Sequence, residues 1–164
     1  MYARVVNDLL LPAAQSDPRD RVIWALRRAE LAVQNLKDGQ LRPVGMAASH
    51  YALLMSVDSE PGLAGATLAR RLNVTPQAVA SLVARLVERG LIERRHHPRH
   101  PHVQELHLTS AGRDALQHAD TVMADIEDEV VALLGAHQSE ELRQMLETLA
   151  SSLPSGRNEE PEPA

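Results

Sequence analysis

Residues 68–95 read LARRLNVTPQAVASLVARLVERGLIERR, and residues 106–112 read LHLTSAG. In the first stretch Leu68, Ala69 and Leu72 are apolar beside Arg70 and Arg71, which predicts a short helix from Ala64 to Asn73. Val74-Thr75-Pro76 restarts a helix. Thr75 is its expected N-cap, and Pro76 takes the first helical position, where a missing N–H does no harm. Val79, Leu82, Val83 and Leu86 make the apolar stripe of this helix, 75–89, and Gly90 is expected just past its end. Leu91 to Arg94 and Val103 to Leu108 read as strands; the second sets Leu106 and Leu108 on one face and Glu105 and His107 on the other. Arg95 to His102 is expected as a protruding polar loop between them.

On the N-terminal side, Asp17-Pro18 reads as an N-cap followed by Pro at the first position of a helix. Val22, Leu26, Ala29, Val33 and Leu36 continue it at 4-3-4-3 spacing, and Lys37 and Gly39 are expected to end it. A second apolar segment covers residues 45–57, stopped by the turn Asp58-Ser59-Glu60-Pro61-Gly62. On the C-terminal side Thr109 caps a long helix carrying Leu116, Ala119, Met123, Ile126, Val130 and Leu133, which Gly135 breaks. Ser139-Glu140-Glu141 is expected to cap a last helix bearing Leu142, Met145, Leu146 and Leu149. From Pro154 onward the chain is rich in Pro, Glu and Ser and reads as disordered.

The predicted fold is mainly α: a winged helix-turn-helix with a small β-hairpin wing, plus N- and C-terminal dimerisation helices. The expected organisation is an extension at 1–17, a domain at 18–152 and an acidic tail at 153–164. Within the domain, 18–45 and 110–152 supply dimerisation helices and 46–109 the winged helix-turn-helix lobe. Neither the 18–38 nor the 110–134 helix can bury its stripe against so small a lobe alone, which favours a homodimer.

Composition narrows the field. The chain has no Cys, so disulfides, thiolate metal sites and thiol switches are excluded. It has no Phe, one Trp and two Tyr, so Ala, Leu and Val must fill the core, which suits close-packed helices. No signal-peptide pattern opens the chain, and no apolar run approaches the ~20 residues of a membrane span. A cytoplasmic protein is the expectation. With no Cys nucleophile, Gly-rich phosphate loop or recognisable carboxylate pair, no enzyme is expected.

Charge is unevenly placed. The chain carries −5 overall, yet residues 64–113 hold eight Arg against three Glu, and residues 114–164 hold two Arg against twelve acids. A basic middle can approach phosphates while the rest keeps the chain in solution. The face of helix 75–89 opposite its apolar stripe offers Thr75, Gln77, Ala78, Ser81 and Arg85. In a major groove about 12 Å wide, Gln pairs with adenine, Arg with guanine and an Ala methyl touches thymine. Thr75, Ser81 and the helix N-terminus suit phosphate. No aromatic residue lies among these Arg, so stacking on single strands is not expected.

The ordered set Leu68-Ala69, Gly90-Leu91-Ile92-Glu93-Arg94 and Leu108-Thr109-Ser110-Ala111-Gly112 resembles the winged-helix core of the MarR family, and the order of helices is similar over about residues 18–152. The resemblance implies a dimeric regulator, usually a repressor, on a pseudo-palindromic operator of double-stranded DNA. It puts Gln77, Ala78, Ser81 and Arg85 where recognition-helix contacts lie. It also implies a small anionic aromatic effector between the dimer helices and the winged lobe. Trp24 with Arg27 or Arg28 can stack on and neutralise such a ligand, and His50 and Tyr51 are the other scarce ring groups nearby in sequence. No other cofactor is expected.

The wing departs from the family. Where an Asp-x-Arg pair is usual, this chain has His100-Pro101-His102. Arg94, Arg95 and Arg99 are the candidates to replace the missing minor-groove Arg. The wing run HHPRHPH at 96–102 holds four His in seven residues. Two Pro and no carboxylate make a closed metal site hard to build there, so no metal is expected. A second use is pH sensing, since imidazoles gain charge near pH 6 and would tighten binding to phosphates. The rival reading is a winged helix that scaffolds a protein partner with weakened DNA binding.

Overall fold

The structure, a computed structural model, describes residues 17–97 and 100–153. The extension at 1–16, Arg99 and the tail from 154 lie outside the described residues. The chain divides into two compact units, one up to residue 122 and one from residue 123.

In the first unit a 3-10 turn, Pro18–Asp20, precedes α1, Val22–Leu41. This corrects the helix expected at 18–38. The Asp17 carboxylate accepts from the Arg19 backbone N–H at 2.9 Å, so it caps the 3-10 turn and not α1. At the far end Gly39 lies inside the helix, because one Gly in a helix costs only about 1 kcal/mol. The chain then makes a second 3-10 turn, Arg42–Val44, and leaves it through Gly45 at φ +70, a left-handed conformation that favours glycine.

Helix α2 spans Ala48–Ser59, α3 Gly65–Arg71 and α4 Pro76–Glu88. Thr75 is the N-cap of α4 as expected: its Oγ1 accepts from the Ala78 N–H at 3.1 Å. Gly90, at φ +69, ends α4 as expected. Leu53, Leu54, Val57, Leu68, Val79 and Leu86 are essentially sealed from solvent and form an aliphatic core. Leu82, expected in the α4 stripe, is half-buried.

The wing is longer than its sequence suggests. Strand β1 is Ile92–His97 and β2 is His100–Leu108, paired antiparallel with Ile92 opposite Leu108 and Arg95 opposite Glu105. Residues 95–97 and 100–102, expected as loop, are therefore strand. A two-stranded ribbon needs only cross-strand backbone hydrogen bonds, so it can extend with polar residues on both faces. The register slips between His96 and His97, since His96 opposes Gln104 while His97 opposes His100. At its base Leu63 bridges Leu106 as a short third rung, a pairing with no local sequence signal.

Helix α5, Ser110–Leu134, is the last element of the first unit and the first of the second. Thr109 caps it: Gly112 N–H donates to Thr109 Oγ1 at 2.9 Å, and that hydroxyl donates to Gly90 O at 2.7 Å. In the second unit Gly135, at φ +86, breaks the helix as expected, but α6 starts at once and spans Ala136–Ser152. Ser139 is inside α6 and is not its cap. Gly135 itself is the N-cap: its carbonyl accepts from Ser139 N–H at 3.0 Å, and no side chain caps the first turn. The α6 residues Leu142, Met145, Leu146 and Leu149 are all exposed.

Candidate nucleic-acid interface

Helix α4 has one buried and one open face. Val79, Val83 and Leu86 are buried, while Gln77, Ser81, Ala84, Arg85 and Glu88 are exposed. At 100° per residue Gln77, Ser81, Ala84 and Glu88 run along the middle of the open face, with Arg85 and the half-buried Ala78 on its edge. Ala84 and Glu88 were missing from the sequence-based set, although the same spacing argument identifies them. Arg85 makes no ion pair among the described residues, so its guanidinium is available for an outside acceptor.

The first helix of the pair is anchored. Arg71 donates to Ser56 O at 3.3 Å and pairs with Glu60 at 2.5 Å, which ties α3 to the C-terminal end of α2. Arg70 donates to Thr67 at 3.3 Å on the exposed side of α3.

The wing arginines separate by strand alternation. Arg94 reaches Gln104 at 3.4 Å and rims a groove of about 270 Å³ with Gly65, Ala66, Pro76 and Ala80, so it stands beside the start of α4. Arg95 turns to the opposite face. It pairs with Glu93 and lines a small cavity with Asp58, His107 and Arg113. Of the two, Arg94 is the one beside the reading helix. His107 Nε2 meets Glu105 Oε2 at 2.9 Å on that other face. The backbones of His100 and His102 lie in β2.

The C-terminal end of α4 is held by Arg89. Its Nη2 donates to Gly45 O at 2.9 Å, and its Nη1 lies 3.5 Å from His50 Nδ1. Burial lowers the His50 pKa, and the charges of Arg89 and Arg85 push the same way. Next to it Tyr51 donates to Asp120 Oδ1 at 2.8 Å. Burial and that bond raise the Tyr51 pKa to about 12.

The expected ligand residues do not gather in one chain. Trp24 is exposed in the first turn of α1, with Arg27 paired to Glu30 at 3.6 Å and Arg28 donating to Arg19 O at 3.1 Å. Trp24 to Leu41 covers about 25 Å along the helix axis. His50 and Tyr51 open α2 beside the Leu41 end, where Met46 N–H donates to Leu41 O at 3.1 Å.

A MarR family model matches residues 44–100, from the turn before α2 into the wing. The HTH-type transcriptional repressor Rv2887 of Mycobacterium tuberculosis is 32% identical over 111 residues, which is 68% of this chain and 80% of that protein. This chain belongs to the MarR family. Among solved structures, the transcriptional repressor CouR bound to a 23-mer DNA duplex matches with a TM-score of 0.75 at 29% identity, covering 79% of this chain and 92% of that one. The M. tuberculosis MarR family protein Rv2887 in complex with salicylic acid matches with a TM-score of 0.68 at 29% identity, covering 83% and 98%. The resemblance carried by Leu68-Ala69, Gly90 to Arg94 and Leu108 to Gly112 is thereby borne out, as is the winged helix-turn-helix fold. Like its relatives, this MarR-family chain is a DNA-binding transcriptional regulator and not an enzyme. Among the described residues no helix is long and apolar enough to cross a membrane.

Proposed function

We propose that this chain is a homodimeric repressor that acts in the cytoplasm on a pseudo-palindromic operator and is released by a small aromatic anion. The observation that carries the reading is the open line of α4, Gln77-Ser81-Ala84 with Arg85 at its edge, on a helix whose opposite face is the core of the lobe. Such a helix presents base-reading groups to a major groove, and Arg94 beside its start reaches toward the flanking backbone. The relatives support it: CouR is solved on duplex DNA, and Rv2887 is solved with DNA as well.

The dimer rests on uncovered apolar surface. Val22 is 69% exposed, and Ile23, Leu26 and Val33 beside it on α1 are exposed too, as is the α6 stripe. Isolated exposed apolar residues are ordinary, but a stripe along each terminal helix calls for a partner surface. A two-fold dimer would set two α4 helices about 34 Å apart, the spacing of successive major grooves.

For the effector, Rv2887 is solved with salicylic acid and CouR with p-coumaroyl-CoA. Trp24 with Arg27 or Arg28, and His50 with Tyr51, are the groups that suit an aromatic anion. Trp24 lies about 25 Å along α1 from the Leu41 end beside which α2 opens, so a site using both sets draws them from two copies.

The test is selection of bound sequences from a random pool of duplexes, with affinity then measured against salt. The reading expects a two-fold symmetric motif and a steep loss of affinity with salt as Arg contacts release counterions. No enrichment, or binding without salt dependence, overturns it in favour of a protein-scaffolding role.

A further inference from the structure

The Arg89 guanidinium bridges three parts of the first unit. Arg89 is the C-cap of the reading helix α4. Gly45 is the left-handed residue that ends the turn after α1, and His50 is in the first turn of α2. One planar fork spans both acceptors, at 2.9 Å and 3.5 Å, and a planar two-point grip fixes direction as well as distance. The anchor is stiff, because Leu41 and Met46 on either side of that turn are buried.

From this geometry we infer that Arg89 is a positioning residue, which sets the angle of the reading helix against α1, and that protonation of His50 opens the grip and weakens operator binding. The inference rests on the DNA-reading role of α4 given above.

The chemistry of the ring decides the direction. Facing a guanidinium N–H, Nδ1 must be the acceptor, so the ring is neutral with its proton on Nε2. A proton added at Nδ1 turns the acceptor into a donor and sets two cations 3.5 Å apart. The charges acting on the ring, Arg89 and Arg85, both come from α4. With its pKa lowered in the fold, His50 supports the folded arrangement fully above pH 6.5, and that support falls as pH drops toward the folded value. Acid therefore loosens the reading head through His50, opposite in sign to the tightening expected from the wing imidazoles.

The experiment titrates a labelled duplex, chosen from a random pool by the wild-type protein, at pH 7.5 and 5.5 and fixed salt. His50→Gln keeps an acceptor for Arg89 but cannot protonate. Relative to this variant, the wild type is expected to lose affinity by a few-fold on acidification, since a lowered pKa leaves the ring only partly protonated at pH 5.5. Both proteins carry the same wing, so the comparison cancels its contribution. Arg89→Lys keeps the charge but offers a point donor in place of a fork. It is expected to bind several-fold more weakly at pH 7.5 and to lose the acid-dependent difference. Superposable pH profiles for wild type and His50→Gln overturn the switch. A lysine variant equal to wild type overturns the grip and assigns Arg89 to simple phosphate contact. If the wild type selects no duplex, the DNA-reading role fails, and the grip's effect on it with it; wild-type binding with indifferent variants sinks the grip alone.

Discussion

A Cβ built on Gly112 would stand 2.0 Å from the carbonyl oxygen of Leu91. The first turn of α5 thus lies directly on the backbone that enters the wing. Thr109 completes the joint, since its hydroxyl donates to Gly90 O while accepting from Gly112 N–H. Only a residue without a side chain allows this approach. Gly112→Ala is expected to push α5 off the wing base at a cost of about 3 kcal/mol or more, at the upper end of overpacking effects. In a chain of this length that lowers Tm by roughly 6–12 °C, and thermal melting followed by circular dichroism checks it. An unchanged Tm would mean the joint is looser than described.

Removal of Arg85, which makes no ion pair among the described residues, should act on DNA and not on the fold. Arg85→Ala is expected to weaken operator binding by about 1–3 kcal/mol, roughly fivefold to 150-fold, if Arg85 reads a guanine. Light scattering should still give twice the 18.0 kDa chain mass. Survival of full operator affinity would remove Arg85 from the interface, and a mass of one chain would remove the dimer.

Thr75 holds the start of the same helix through Ala78 N–H. Thr75→Ala is expected to cost about 1 kcal/mol of stability, with Thr75→Ser close to wild type, because the lost element is one hydroxyl acceptor at an N-cap. Denaturant midpoints of the three proteins test this, and equal midpoints for Ala and Thr would contradict it.

The Tyr51 hydroxyl donates to Asp120, and its pKa is raised to about 12. For an acid with a raised folded pKa, the folded state holds more protons than the unfolded chain between pH 10 and 12. Stability from this group is therefore complete below pH 10 and falls as pH rises toward 12. Tyr51→Phe should flatten that alkaline fall, and ultraviolet titration of the phenolate should lose its late component. A fall of equal size in the variant would assign it to other groups.

What was legible in the sequence was what is decided locally. Thr75, Gly90 and Gly135 act within a few residues, as does the Thr109 cap on Gly112 N–H, and each stands where its chemistry suggested. The α4 stripe was legible because burial follows helical period, although Leu82 is only half-covered. The length of the wing was not, since polar strands pair through backbone groups that every residue carries. The starts of α1 and α6 were misjudged where a good capping residue lay near a helix without capping it: Asp17 serves a 3-10 turn, and Ser139 sits inside a helix already begun. In the site, base-reading candidates follow from pattern. The Arg89 grip does not, because Gly45 lies 44 residues away in the chain.

The placement of the single tryptophan has an optical consequence. Trp24 is half-exposed on the first turn of α1, and the core of the lobe is aliphatic. Emission selectively excited from the indole therefore reports on the environment of that helix end. Melting of the lobe around Leu53, Leu68 and Leu86 moves no indole out of an apolar setting, so far-ultraviolet signals must follow it. A concentration-dependent blue shift of the emission would track whatever comes to cover α1, which makes the chain its own probe of association without any added label.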